Sequence, residues 1–174
     1  MLSFCSRKKL NQDMKRQITL TFEELDSLGD LSVEQIALVE ASIEACHQAY
    51  APYSNFHVGA AVQLENGSVV SASNKENASF PAGTCAERNV MNYAGDQHPG
   101  ERLVRMALSA DPKSFEMTGV LAPCGICRQV ICELEKVQGS AIELLLHSPS
   151  GKVLIVPSGK DLLPFHFYLP QLKN

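Results

Sequence analysis

Cys124 and Cys127 stand in Ala122-Pro123-Cys124-Gly125-Ile126-Cys127-Arg128-Gln129, a C-x-x-C spacing that lets two thiolates grip one tetrahedral zinc ion. Cys85, in Thr84-Cys85-Ala86-Glu87-Arg88, can supply a third sulfur from elsewhere in the fold. A fourth corner then stays open. An open corner separates a catalytic zinc from a structural one, because water can bind there and become acidic if a nearby group moves its protons. Glu87, two residues past Cys85, is the candidate proton carrier.

Such chemistry needs elements that bring both stretches to one point. If a helix begins near Cys85, Glu87 lies in its first turn, beside the metal but not bound to it. Pro123 suits a second helix entrance, with Cys124 and Cys127 in its first turn, where unpaired N–H groups and the positive dipole end favour thiolates. Two helix starts would then face one ion. A lone C-x-x-C is also compatible with a thioredoxin-like redox pair or half of a four-cysteine zinc knuckle. The redox reading makes no use of Cys85 and Glu87. The knuckle needs Cys132, which sits five residues beyond Cys127 on the same predicted helix and should turn away from the metal.

Composition limits the alternatives. The chain has 174 residues, 45% of them hydrophobic, enough for one globular domain with a sizeable core. Its formal charge of −4 and pI near 5.7 disfavour a nucleic-acid partner, which calls for a strong basic patch, and favour a small ligand. Six cysteines in a chain of this length, three of them in the zinc pattern, argue against a disulfide framework and for a reducing, cytoplasmic setting. Residues 1–16 mix basic and polar side chains with too short an apolar start for a signal segment, and no stretch approaches a membrane span.

Along the chain, Gln17 to Phe22 alternates like a strand or extended arm. Ser32 with Gln35 reads as a capping box, opening a helix from Val33 to Tyr50 with Ile36, Val39, Ile43, Cys46 and Tyr50 on its apolar face. Cys46 and His47 read as core and edge residues of that face, not ligands. Phe56–Leu64 reads as a buried strand whose small residues admit close packing, joined by the Asn66-Gly67 turn to a returning strand, 69–73. A polar loop carrying Asn74 and Glu76 follows; by position alone these residues serve equally to cap the loop or to hold sugar hydroxyls. Helices over 84–94 and from Pro123 to Val137, and strands over 103–110, 142–146 and 153–156, complete the pattern. This order predicts an α/β fold, a mixed five-stranded sheet with helices on both faces as a three-layer α-β-α sandwich.

Five segments in this order resemble the small, homotetrameric zinc cytidine deaminases: 49–61 (AYAPYSNFHVGAA), 74–79 (NKENAS), Cys85-Ala86-Glu87-Arg88, 123–129 (PCGICRQ) and Leu162-Leu163-Pro164. Zinc nucleobase deaminases share the order of a Cys or His ligand, a Glu two residues on, and a later P-C-x-x-C. The resemblance spans Ser32 to Phe167 and implies a catalytic domain over 32–174 with residues 1–31 as an N-terminal extension. It implies zinc on Cys85, Cys124 and Cys127, Glu87 as proton shuttle, and Asn74 and Glu76 on the ribose 3′-hydroxyl. Phe56 would line the pyrimidine pocket, the Ala86 backbone would read the ring, and Phe167 of a neighbouring subunit would cover the base. Arg88 would bond the zinc sulfurs and withdraw some of their negative charge.

The implied activity is hydrolytic deamination of cytidine and deoxycytidine, with release of ammonia, in pyrimidine salvage. The alternatives are deamination of another aminated pyrimidine, such as a blasticidin-type nucleoside, or a zinc-stabilised binding module without turnover. Two positions depart from the family pattern. Phe80 stands where Tyr is frequent and lacks its hydroxyl, and Ala122 stands where Ser is common, though the backbone carbonyl expected to act there remains.

Overall fold

The computed structural model describes residues 15–168; most of the basic amino-terminal tail, residues 1–14, lies outside the described residues. The predicted α/β class holds, with six strands in place of five. In chain order the elements are β1 (Glu23–Leu25), α1 (Val33–Cys46), β2 (Phe56–Leu64), β3 (Val69–Ser73), α2 (Ala86–Gln97), β4 (Leu103–Pro112), α3 (Gly125–Gln138), β5 (Glu143–His147) and β6 (Val153–Val156). They form one sheet in the order β1-β6-β5-β4-β2-β3, in which only β4 and β5 run parallel. The added strand is β1, antiparallel to β6 at the sheet edge. The alternation over 17–22 precedes it and forms no strand; Ile18, Leu20 and Phe22 are exposed.

Alternating side chains divide the sheet into two cores. Ala61, Ala107, Leu145 and Val153 face α1 and pack against its Leu38 and Val39. Ala60, Val62, Met106, Leu108, Leu144 and Leu146 face the other way, toward Val90 and Met91 of α2 and Ile131 of α3. The functional helices α2 and α3 therefore share one face, and α1 covers the opposite one.

The Ser32–Gln35 capping box is present in full. The buried stripe of α1, however, is Leu38, Val39, Ser42, Ala45 and Cys46, rotated from the expected one. The reason is Gly59: a Cβ there would stand 2.0 Å from the Ser42 carbonyl oxygen and 2.7 Å from the Cys46 nitrogen. Backbone meets backbone at that crossing, so small residues must face the sheet and Ile36 and Ile43 are moved to the rim. The helix also stops at Cys46, short of the expected Tyr50. Tyr50 is instead extended, its N–H donating to Asn74 O and its carbonyl accepting from Glu76 N, which draws the 74–76 loop toward the end of α1. At the hairpin, Gly67 has φ +85°, the left-handed geometry expected of the Asn-Gly turn.

A buried carboxylate secures the end of the functional layer. Glu135 of α3 accepts from the backbone N–H groups of Ile142, Gly159 and Lys160 and from the Ser158 hydroxyl. With these donors its burial is compensated. Gly59→Ala is expected to destabilise the protein by about 3 kcal/mol or more by forcing α1 off the sheet, a loss readable as a fall in the urea unfolding midpoint; a wild-type midpoint would contradict the close crossing.

Candidate active site

Cys85 and Cys124 are the N-cap residues of α2 and α3, one position outside the helices in which they were expected, and neither side chain caps its own helix. Their sulfurs are therefore free to point at each other across the helix starts, together with that of Cys127 in the first turn of α3. The three sulfurs lie within 4.8 Å of one another, and those of Cys124 and Cys127 are 3.6 Å apart. A tetrahedral zinc with bonds of about 2.3 Å places its sulfurs about 3.8 Å apart. The donor set fits zinc in softness, number and spacing.

Ionisation points the same way. A hydrogen bond from the Cys127 thiol, followed by smaller contributions from Cys124 and the Arg88 guanidinium, brings Cys85 down to about 5 against the opposing effect of burial. The same bond with Cys85, together with burial and the nearby Glu87 carboxylate, pushes Cys127 up. Three thiols this close cannot all become thiolates unless a cation shares the site. Arg88 donates from Nη2 to Gly83 O at 3.2 Å, and its Nε is buried with no hydrogen-bond partner among the described residues.

Glu87 lies in the first turn of α2 and is 4% exposed. Burial above all, and secondarily the Cys85 thiolate, raises its pKa. A carboxyl shifted this way holds a proton closer to neutral pH, as a general acid and base requires.

A cleft of about 230 Å³ opens over these groups and brings together Phe56, Asn74, Cys85, Ala86, Glu87 and Cys124. Val58 and Leu121, which the sequence did not single out, complete its apolar wall, and Ala122 lines it beside Cys124. Their signal was weak: Val58 is one apolar residue of a strand, and Leu121 one of a short apolar run before Pro123.

Asn74 does two jobs. Its Oδ1 accepts from Val58 N and its Nδ2 donates to Phe56 O, both at 2.9 Å, which leaves one amide hydrogen and one oxygen lone pair for a ligand. Glu76 lines a separate depression of about 360 Å³ with Tyr53, Ser54 and Phe80. Its carboxylate accepts from Tyr53 N, Ser54 N and Ser54 Oγ, bonds that lower its pKa, the Ser54 hydroxyl most. Phe80 is 75% exposed and meets Tyr53 edge-on at 5.7 Å.

Two predicted substrate-binding residues, Glu76 and Phe167, do not line the cleft over the sulfurs. The Phe167 backbone N–H and carbonyl pair with the Gln129 side chain, and its ring is exposed. Cys132 is buried away from the three sulfurs, which disposes of a four-cysteine knuckle among the described residues. Cys46 is also buried, its thiol donating to Ser42 O and Ser109 O, and the His47 ring is mostly exposed.

The backbone duty of Asn74 can be tested without turnover: Asn74→Ala leaves the Val58 N–H unpaired and is expected to cost about 1–3 kcal/mol, measured by urea unfolding; an unchanged midpoint would show that those two bonds hold nothing.

Comparison with known proteins agrees with this geometry. The chain is 43% identical over 98 residues to a cytidine deaminase of Halalkalibacterium halodurans, covering 56% of this chain and 69% of that protein. It is 39% identical over 129 residues to a cytidine deaminase of Mycobacterium tuberculosis, covering 74% and 86%. The crystal structure of cytidine deaminase from Burkholderia pseudomallei superposes with a TM-score of 0.66 at 41% identity, covering 75% of this chain and 97% of that one. Residues 32–140, which carry the three cysteines and Glu87, match the family model of the cytidine and deoxycytidylate deaminase zinc-binding region, and the chain belongs to that family.

Proposed function

We propose that this protein is a zinc-dependent cytidine deaminase that converts cytidine and deoxycytidine to the corresponding uracil nucleosides with release of ammonia. The observation that carries the reading is the buried Glu87 carboxyl beside three converging sulfurs, with Glu87, Cys85 and Cys124 lining one cleft and Cys127 buried behind them. A zinc module without turnover has no use for a buried carboxyl with a raised pKa in that place.

In this reading Cys85, Cys124 and Cys127 hold the ion, and Arg88 tempers the negative charge of their sulfurs. An ion held by these residues would acidify a coordinated water and so supply a nucleophile at neutral pH. Glu87 would accept one proton from the attacking water and pass it to N3 of the base, then take the remaining proton of the new C4 hydroxyl and deliver it to the amine as the C4–N bond breaks. Ammonia departs, and the oxygen of water remains on C4. Phe56 and the Ala86 backbone orient the ring, and Asn74 and Glu76 take the ribose hydroxyl with the hydrogen-bonding capacity their backbone contacts leave unused.

We further infer a homotetramer in which Phe167 covers the base in a neighbouring subunit. The exposed Phe165 and Phe167 on a segment pinned by Gln129 support this arrangement. Residues 1–31 are read as an extension of a catalytic domain over 32–174, and β1 falls in that extension. No described helix is long and apolar enough to cross a membrane, and a site built on reduced thiols suits the cytoplasm, where a role in pyrimidine salvage follows.

Ammonia release from cytidine, deoxycytidine, adenosine, guanine and single-stranded DNA tests the substrate class; turnover confined to the two cytosine nucleosides is expected, and equal or faster turnover of the others would refute it. Glu87→Gln should retain stoichiometric zinc yet lose turnover by at least about a hundredfold, and a wild-type rate would remove Glu87 from the mechanism. Cys124→Ala should lose both metal and thermal stability, because ligation and folding are coupled; metal analysis showing full zinc content would unseat it as a ligand.

A further inference from the structure

The connection from β4 to α3 carries a single aromatic residue, Phe115, which the mechanism above does not use. Its ring lies flat on that of Phe56, with centroids 5.8 Å apart and planes within 8° of parallel, the separation of an offset stack. Phe56 lines the cleft and Phe115 does not. Phe115 therefore braces a cleft wall from outside the cleft.

Backbone bonds bring it there. Phe56 pairs with Pro112 in the β2–β4 ladder, and Lys113 N donates to Asn55 O at 3.1 Å, so the loop leaves the sheet tied to the residue before Phe56. Asn55 itself has φ +53°, a left-handed turn that asparagine tolerates, and Phe56 N donates to Ser54 Oγ at 3.0 Å. With Asn74 on its carbonyl, the Phe56 backbone is fixed at both ends. These bonds fix its backbone; its side chain packs against the core, and the flat contact with Phe115 adds a second restraint on the ring. Phe115 stays 55% exposed, so the contact is not a by-product of burial in the core.

We propose that Phe115 is a positioning residue for the pyrimidine: it holds the Phe56 ring as a flat wall for the base and thereby sets affinity for the base and not the rate of its conversion. This rests on the deaminase reading. Because the brace acts on the base side of the cleft, its loss should weaken cytidine and deoxycytidine equally, whereas a change at the ribose end would separate them.

The test is steady-state kinetics of the zinc-loaded enzyme and its F115A, F115L and F115Y variants on both nucleosides, with zinc content measured alongside. F115A is expected to raise KM about threefold to tenfold for both nucleosides. Its kcat should stay within about twofold and its zinc content at the wild-type level, a split that chemistry at Glu87 would not give. F115Y, which keeps the ring face, should restore KM. If F115A loses metal or fails to fold, F115L decides in its place, a raised KM at full zinc supporting the brace. A wild-type KM in F115A or F115L at full zinc, a fall in kcat alone, or a rise for one nucleoside only would overturn it. Wild-type protein that fails to release ammonia from cytidine would refute the deaminase reading itself, and is distinguished by that control.

Discussion

Negative charge crowded into a small volume is the constraint around which this molecule is built. Three sulfurs within 4.8 Å, only that of Cys127 on a buried residue, and a carboxyl 4% exposed cannot all ionise without opposing charge. The chain supplies two helix N-termini aimed at the cluster, a guanidinium from the first turn of α2, and a donor geometry suited to a divalent cation. The helix starts are effective because Cys85 and Cys124 leave the first N–H groups uncapped by side chains, so the partial positive charge stays turned toward the sulfurs. A serine in either position would cap its helix better and serve the cluster worse.

Aiming two helix starts at one point is a problem of sheet topology. α2 returns from β3 and α3 from β4, and both must lie on the same face. The hairpin β2–β3 and the parallel pair β4–β5 achieve this, with α3 as the crossover between the parallel strands. The opposite face is left to α1, which approaches so closely at Gly59 that its contact residues are Ser42 and Ala45. A smaller core of leucine, valine and alanine on one face and a larger one that adds isoleucine and methionine on the other follow from that division.

The chemistry was easier to read than its scaffold. Cys85, Glu87 and the Pro123-Cys124-x-x-Cys127 run announce themselves because zinc ligation demands residue types and spacings that tolerate little variation. Strands β2 to β6 were legible through alternation and length, and the capping box at Ser32 through local hydrogen bonding. The strand β1 was not legible: Glu23-Glu24-Leu25 has no apolar period, and it becomes a strand only because the edge of β6 offers it partners. The buried face of α1 departs from the periodic one because periodicity counts large apolar residues, whereas Gly59, 17 residues beyond Ser42, requires small ones opposite its missing side chain. Tyr50 looked helical for a similar reason, and its bonds to Asn74 and Glu76 are long-range.

Those bonds explain why the polar loop resisted a choice between structure and function when taken alone. Asn74 closes the end of β2 and also lines the cleft; Glu76 closes the 53–54 turn and also faces a depression of its own. The same economy appears in Arg128, which donates to Pro123 O just before Cys124 and to Leu162 O on the C-terminal segment. Each side chain spends part of its hydrogen-bonding capacity on fixing the backbone next to the site and keeps its position because that backbone is fixed. Side-chain geometry at such a site is thereby coupled to strand and loop geometry, so displacing one polar residue moves the cleft wall, the 74–76 loop or the cysteine end together with it. Structure and function were not separable in that loop because the fold does not separate them.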